Sequence, residues 1–160
     1  MRRNWRAAFP IAAIVAIVAC APKMEWRDYA YPQKGFTASF PIAPKVTDKQ
    51  GEAWHTDAIV LKDIYTVSVS CDPTTDETAD DILNAGIGLW SDQGNITSQT
   101  DISSGHTAGK ELLVARQGAP SAKVRVFAHR QCLYQVSAVV TKGPQDLAVS
   151  RFLDSFRLTN

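Results

Sequence analysis

Side chains that could bind a metal ion or activate a nucleophile are scattered along this sequence. The three histidines are His55, His106 and His129, and no two of them lie close together in the chain. Imidazole is the usual metal ligand and general base at neutral pH, but zinc sites normally space their ligands a few residues apart. We interpret His55 as a strand residue beside a tryptophan, and His129 as a solvated residue near a turn. We therefore predict no metal site.

A hydrolytic centre is also not indicated. The segment Ser104-Gly105-His106 places a hydroxyl near an imidazole, but it lies among turn residues, and the nucleophile elbow G-x-S-x-G does not occur. A nucleophilic Cys71 would need exposure and a basic neighbour, whereas Asp72 follows it directly. We predict that the chain is not an enzyme.

Two further patterns have structural explanations. The acidic cluster Asp72, Asp76, Glu77, Asp80 and Asp81 could supply oxygen ligands to calcium, but it lacks the order of an EF-hand loop. Carboxylates at the start of a helix are stabilised by the helix dipole alone. The segment Gly86-Ile87-Gly88 falls inside a predicted helix instead of a strand-to-helix turn, so it does not indicate a phosphate loop. We predict no cofactor.

Two groups of residues are candidates for binding. Lys123, Arg125 and His129 alternate with Val124, Val126 and Ala128, which describes either a solvated sheet face or a contact surface for an anionic partner. Trp54 and Trp90 could line a cleft between a sheet and a helix, since ligand clefts are mostly apolar with a few polar groups.

The elements that position these residues follow a basic, then apolar, N-terminal segment. Arg2, Arg3 and Arg6 precede the run IAAIVAIVAC, which has the order of a secretory signal peptide over residues 1–19. The run is too short to span a bilayer comfortably, because a spanning helix needs about 20 apolar residues.

The end of that run, Ile17-Val18-Ala19-Cys20, resembles the lipobox of bacterial lipoproteins. The resemblance implies that Cys20 is acylated and becomes the first mature residue, followed by a linker to residue 25. Several acyl chains would hold the protein firmly on a bilayer. Ala21, in place of an aspartate, favours the outer over the inner membrane of the envelope. The alternatives are an ordinary signal peptide with an incidental cysteine, or an uncleaved N-terminal anchor.

Composition limits the remaining chain to one domain and disfavours nucleic-acid binding. Removal of 19 of the 160 residues leaves 141, enough for a single core. Three of the 17 basic residues leave with the signal peptide, so 14 face 16 acidic residues and the net charge becomes −2. A nucleic-acid surface would need a basic excess.

If Cys20 carries lipid, Cys71 and Cys132 remain as a possible pair. In its strand-like segment, each cysteine falls in the same alternating series as the apolar residues. We therefore expect both thiols to face one core. An oxidising compartment permits a disulfide. The alternative is two buried free cysteines too far apart to bond.

Alternating apolar residues predict strands, and spacing of three or four predicts helices. Four strands are expected between Trp26 and Cys71, then a helix that begins with a Thr74–Glu77 capping box and ends near Gly94. Gly86 and Gly88 suggest close packing of this helix on the sheet. Four more strands follow, with a tight turn near Arg130 and Gln131, and then a helix that starts at Pro144. Its apolar face is Val149, Phe152, Leu153 and Phe156. This order, ββββ-α-ββββ-α, predicts an α+β fold with a mostly antiparallel central sheet.

Three segments, YPQKGFTASFPIAPK, AKVRVFAHRQCLYQVSAVV and DLAVSRFLDSFRL, resemble the PsbP-like class of small bacterial secreted domains. The likeness covers residues 29–158, within a single domain over residues 26–160. It implies the α/β/α sandwich shared with the PsbP subunit of photosystem II and a Ran-binding nuclear-import factor. Cys132 departs from the usual pattern, in which the turn before Leu-Tyr is polar.

The resemblance implies no catalytic residue, because better-known relatives of this class support larger protein assemblies. We therefore expect an exported, non-catalytic lipoprotein that is tethered to the bilayer and supports an unknown envelope protein. The alternative is a module that binds a small molecule or lipid in a cleft between sheet and helix.

Overall fold

A computed structural model describes residues 23–50 and 52–159. The predicted signal peptide and the lipidation site Cys20 lie outside these residues. The strands are β1 (Arg27–Tyr31), β2 (Phe36–Phe40), β3 (Lys45–Thr47), β4 (Trp54–Val60), β5 (Asp63–Cys71), β6 (Asn95–Ser104), β7 (Thr107–Ala115), β8 (Ala122–His129), β9 (Cys132–Val139) and β10 (Arg157–Leu158). The helices are α1 (Ala79–Ser91) and α2 (Leu147–Ser155), with a short 3₁₀ turn at Pro32–Lys34. Within the described ranges, no helix has the length and apolarity needed to cross a membrane.

The strands form two antiparallel sheets instead of one. Seven strands pair in the order β3-β4-β5-β9-β8-β7-β6, and three pair in the order β1-β2-β10. The α+β class, the antiparallel pairing and the two helices are confirmed. The predicted order of elements is wrong in detail, because five strands precede α1 and the two-residue strand β10 follows α2.

The large sheet has a separate apolar core on each face. On one face, α1 packs against β6 to β9, around buried residues such as Leu112, Val124 and Leu133. On the other face, α2 and the small sheet cover an aromatic-rich core that includes Phe36, Phe152 and other large side chains. Alternate residues of each central strand point to opposite cores, and this burial of apolar surface is the main stabilising force.

Helix α1 begins four residues later than the sequence pattern indicates. Thr78 is the N-cap, and it exchanges hydrogen bonds with Asp81 in a capping box. The predicted box at Thr74 is wrong because the Thr74 hydroxyl and backbone N–H both donate to the Asp72 carboxylate. A local turn thus satisfies Thr74 before the helix starts.

The two glycines of α1 differ in their packing. A Cβ on Gly86 would lie 2.7 Å from Leu133 Cδ1, so the predicted close approach to the sheet is confirmed there. A Cβ on Gly88 would meet nothing within 4 Å, so the same prediction is wrong for Gly88, which lies on an exposed part of the helix.

Helix α2 also starts later than predicted. Asp146 is its N-cap and accepts a 2.8 Å hydrogen bond from the Ala148 N–H, whereas Pro144 lies in the preceding turn. The predicted apolar face is confirmed, since Val149, Phe152 and Leu153 are buried in the helix and Phe156 is buried just after it.

The large sheet gives the domain two distinct ends. At the disulfide end, β5 and β9 finish side by side at Cys71 and Cys132. The turn Arg130–Gln131 lies there, with φ of 52° and 60°, as a two-residue hairpin turn requires. At the opposite end, which we call the tether end, lie the β4–β5 turn at Leu61–Lys62, the segment from Thr141 to Leu147, and the first described residues.

Candidate functional site

Cys71 and Cys132 form a disulfide across neighbouring strands at the disulfide end. They are opposite each other in the β5–β9 register, with Cα atoms 4.0 Å apart and an S–S distance of 2.05 Å. The predicted pairing is confirmed. Both cysteines lie on the face of the aromatic core, as expected, and Cys132 packs against that core, but Cys71 is exposed. Their parity matches the core-facing residues, but the covering layer does not extend over the ends of these strands.

A cluster of charged side chains ties the sheet to the end of α2. Glu111 of β7 is 3.0 Å from Lys123 Nζ and 2.7 Å from Arg125 Nε, both on the neighbouring strand β8. Arg125 also donates to the Leu153 carbonyl at 2.8 Å and lies 2.7 Å from the Asp154 carboxylate. A cation that binds the last carbonyls of a helix complements its dipole.

The electrostatics of this cluster show that the two predicted binding cations are already partnered. Burial tends to raise the pKa of Glu111, but the hydrogen bonds and charges of Arg125 and Lys123 lower it below its ordinary value. Arg125 is only 20% exposed and Lys123 21%. Lys123 and Arg125 are thus neutralised within the chain, and a role for them in binding an anionic partner stays a prediction.

A groove of about 480 Å³ lies beside this cluster, between the β6–β7 turn and the end of α2. Phe127 and Phe156 stack with ring centroids 5.5 Å apart beneath the groove, but each is only 2% exposed and belongs to the core. Ser103, Ser104, Arg125 and Arg157 supply polar groups at its surface. The accessible lining of the groove is therefore largely polar.

The groove does not assemble a nucleophile and its base from the residues described. The Ser104 hydroxyl accepts a 3.3 Å hydrogen bond from the Leu158 N–H, and His106 lies exposed in the adjoining turn. No hydrogen bond joins these two side chains among the described contacts. The predicted Ser104-Gly105-His106 segment is thus part of the groove's rim, with its hydroxyl used to hold the C-terminal strand.

The remaining histidines are dispersed. His129 Nδ1 lies 3.2 Å from the Thr107 hydroxyl, and its Nε2 is buried without a hydrogen-bond partner in the part of the chain described. The expectation that His129 is solvated is therefore wrong, because β7 covers its ring. His55 is 3.8 Å from Asp57 on β4. Within residues 23–50 and 52–159, no group of three or more possible metal ligands converges.

The two tryptophans proposed as cleft residues are both core residues. Trp54 is 7% exposed and packs edge-on against Tyr31 and Phe36, with Lys34 Nζ 5.4 Å from its ring centre. It borders two shallow depressions of about 400 Å³ each. Trp90 is 8% exposed and donates a 2.8 Å hydrogen bond to Gln135. Neither residue lines the groove beside α2.

The acidic residues before α1 have local structural partners. Hydrogen bonds from Thr74 lower the pKa of Asp72, and hydrogen bonds from Thr78 lower the pKa of Asp81. Asp76, Glu77 and Asp80 are exposed. The cluster therefore serves the turn and the N-terminus of α1.

Sequence reasoning missed Glu111, Asp154 and Arg157, which complete the charged cluster and the groove. Glu111 stands between Lys110 and the apolar end of β7, and its relation to Arg125 depends on the β7–β8 register. Asp154 and Arg157 stand on or beside a helix end, where charged residues are common. No local pattern in the sequence singles these three residues out.

Comparison with known proteins supports the fold. The solution structure of cyanobacterial PsbP (CyanoP) from Synechocystis sp. PCC 6803 is similar, with a TM-score of 0.61 and 13% sequence identity. The similarity covers 92% of this chain and 99% of that one. A scan against models of protein families finds no match, and neither does a search of curated proteins. The chain thus has a PsbP-like fold.

Proposed function

We propose that this protein is an exported, lipid-anchored envelope protein whose PsbP-like domain acts as a non-catalytic accessory module for another envelope protein. The observation that carries the proposal is the segment Ile17-Val18-Ala19-Cys20, which follows a basic, then apolar, leader and ends close to the start of the domain. Acylation of Cys20 would hold the domain at a membrane without a spanning helix. Since Ala21 follows Cys20, we propose the outer membrane as its site.

The fold and its chemistry support an interaction role. The PsbP-like class is associated with the support of larger assemblies, and the described residues that could do chemistry serve as ion pairs, caps or core contacts. A disulfide at the far end of the sheet suits an oxidising compartment. The groove beside α2 is the concave surface where a segment of a partner could lie.

The proposal is tested by cross-linking in cells that express the wild type beside a Cys20→Ser variant. We expect the wild type to fractionate with membranes and to be cross-linked reproducibly to the same envelope protein. The variant should lose both properties while it remains folded, which the disulfide state and circular dichroism would verify. Failure of the wild type to yield any reproducible partner under several growth conditions would contradict an accessory role.

A second function is favoured by the groove itself. Its volume of about 480 Å³ and its polar rim, which includes two arginines, suit a small molecule or a lipid headgroup between the sheet and α2. Native mass spectrometry of the purified protein distinguishes the two functions. A retained ligand that is lost in a Ser103→Trp variant, which fills the groove from its exposed rim, would support the binding module, and a bare mass at the protein's own value would count against it.

A further inference from the structure

We infer that the tether end of the domain lies against an anionic lipid surface, with Leu61 and Leu147 in contact with the bilayer, so that the disulfide end and the groove face away from it. This inference rests on the proposed lipid anchor at Cys20. It goes further, because it assigns a second contact with the membrane, made by the folded domain.

The start of the domain is fixed at the tether end. Trp26 packs edge-on against Tyr65 at 5.8 Å between ring centres, and the Arg151 guanidinium lies 4.9 Å from the Trp26 ring. The Glu25 N–H donates to the Pro41 carbonyl at 2.8 Å. Tyr65 is two residues from the start of β5, so these contacts place the entry of the chain beside the β4–β5 turn.

The tether is too short to let this end move far from the membrane. Three peptide units separate Cys20 from Lys23, and they span at most about 11 Å in any conformation. An acylated Cys20 therefore keeps Lys23 within that distance of the lipid interface. The nine residues of β5 extend about 27 Å from the tether end to Cys71. An inverted orientation, with the disulfide end on the bilayer and the tether end held about 27 Å away from it, would therefore need a longer linker.

Exposed apolar side chains are concentrated at this same end. Leu147 is 86% exposed and Leu61 75%, the highest values among the large apolar residues described. Ile59 and Ile64 are a cross-strand pair beside the Leu61 turn, at 54% and 38% exposed. Met24, which adjoins the tether, is 48% exposed. Single exposed apolar residues are common on protein surfaces, but a group of leucines and isoleucines at one end is typical of a surface that contacts a membrane or another protein.

Two elements bring the leucines together. Asp63, just after the Leu61 turn, accepts hydrogen bonds of 2.8 and 2.9 Å from the backbone and hydroxyl of Thr141. The chain then runs through a short turn to Asp146, the N-cap of α2, and Leu147 is the first helical residue. Leu61 in the β4–β5 turn and Leu147 at the start of α2 thus lie at the same end of the central strands β5 and β9.

Charge complementarity identifies the occupant as a lipid surface. Lys62 and Lys142 are exposed next to these loops, and neither has an acidic partner within 4.0 Å among the described residues. Asp63 and Asp146 keep their charge but are held against the protein by hydrogen bonds to Thr141 and to the Ala148 N–H, whereas the longer lysine side chains can extend toward headgroups. Leucines flanked by unpaired lysines are the combination that binds the boundary of anionic headgroups and acyl chains.

The test uses the full, acylated protein purified from membranes and reconstituted in vesicles of phosphatidylethanolamine and phosphatidylglycerol. A bimane fluorophore is attached to Leu61→Cys or Leu147→Cys, and a doxyl-labelled lipid is the quencher. Because Cys71 and Cys132 are bonded and Cys20 is acylated, the introduced thiol is the one labelled. The matched control is Asn84→Cys, an exposed position of α1 two residues before Gly86, which packs on Leu133 beside the disulfide end.

We expect quenching at positions 61 and 147 to exceed that at 84 several-fold, and to fall when Lys62→Gln and Lys142→Gln are added or phosphatidylglycerol is omitted. Equal quenching at all three positions, or stronger quenching at 84, would overturn the orientation. Leucine positions that stay unquenched because a protein partner covers them would overturn it as well.

Vesicle flotation of the same samples separates this inference from the proposed function. If the wild type floats with the vesicles and the Cys20→Ser variant does not, the anchor stands whatever the quenching shows. If the two behave alike and neither floats, the anchor fails and the orientation fails with it. Each variant is checked for an intact disulfide and an unchanged melting temperature, which exposed positions should permit.

Discussion

Replacement of both Cys71 and Cys132 by serine is expected to destabilise the domain by about 4 kcal/mol. The disulfide closes a loop of 61 residues, which contains α1 and the strands β6, β7 and β8. In the chain-entropy account, a loop of that length restricts the unfolded chain by roughly 14 cal/mol/K, or about 4 kcal/mol at 25 °C. Because Cys71 is exposed and Cys132 half-buried, serine fits both positions without a cavity in the core.

The same change should lower the melting temperature considerably. For a domain of this size, 1 kcal/mol corresponds to about 3–4 °C, so a loss of about 4 kcal/mol predicts a shift of roughly 12–16 °C. The fold should persist below the new transition, since the eight register pairs between β5 and β9 include seven that do not involve the disulfide.

Thermal unfolding followed by circular dichroism, with and without reductant, measures this effect. The reduced wild type should melt near the double variant, and the variant should not respond to reductant. The reasoning is refuted if reductant leaves the wild-type transition in place and the double variant melts at the same temperature. That result would mean that the cross-link contributes nothing to the stability of the domain.

Four other substitutions have defined outcomes. Gly88→Ala should stabilise the protein by about 1 kcal/mol, because the position is open and alanine favours a helix. Gly86→Ala should destabilise the protein, because the added Cβ would clash with Leu133. Urea titrations that ranked the two variants in the opposite order would contradict the packing of α1. Glu111→Gln should cost about 1–3 kcal/mol near neutral pH, since it breaks charge-assisted hydrogen bonds. The folded-state pKa of Glu111 lies below its ordinary value of 4.5, so its contribution is present above that pH and is lost as pH falls through the folded value. The stability difference between E111Q and the wild type should therefore close below pH 4.5, and a constant difference would show that no charge is involved. Arg130→Asn should raise the unfolding free energy by about 0.5–1 kcal/mol, because Asn tolerates positive φ in a two-residue hairpin turn. An unchanged or lower unfolding free energy in urea titrations would contradict that turn geometry.

Strong local patterns allowed much of the fold to be predicted. The alternation in β5 and β9 and the three-or-four spacing in α2 each reflect a face that is buried along its whole length. The turn at Arg130–Gln131 was predictable because only these two polar residues separate the alternating segments AKVRVFAH and CLYQVSAV. In each of these cases, one short segment contains the whole signal.

Features that depend on how distant segments meet could not be predicted in this way. Strand β10 has only two residues, Arg157 and Leu158, and forms because β2 offers it a free edge. The Thr78 cap was missed because Thr74 has an equally suitable sequence but binds Asp72. The parity of Cys71 indicated its face correctly, yet no local pattern shows where the covering layer stops.

The candidate site was less predictable than the fold for the same reason. Arg125 meets Glu111 through the β7–β8 register and Asp154 through the docking of α2. From the sequence alone, a cation in a strand is expected to face solvent. Its ion pairs become apparent only when the neighbouring strand and helix are placed. An apolar tryptophan is compatible with either a cleft or a core, and only the docking of the other layers shows that Trp54 and Trp90 are buried in cores.

The central claim is the lipid anchor, and intact-mass and peptide mass spectrometry of protein extracted from membranes tests it most directly. The result we predict is an N-terminal peptide that begins at Cys20 and carries the added mass of a diacylglyceryl group. An N-terminus at any other residue, with Cys20 unmodified or removed, would contradict the anchor and the membrane orientation that depends on it.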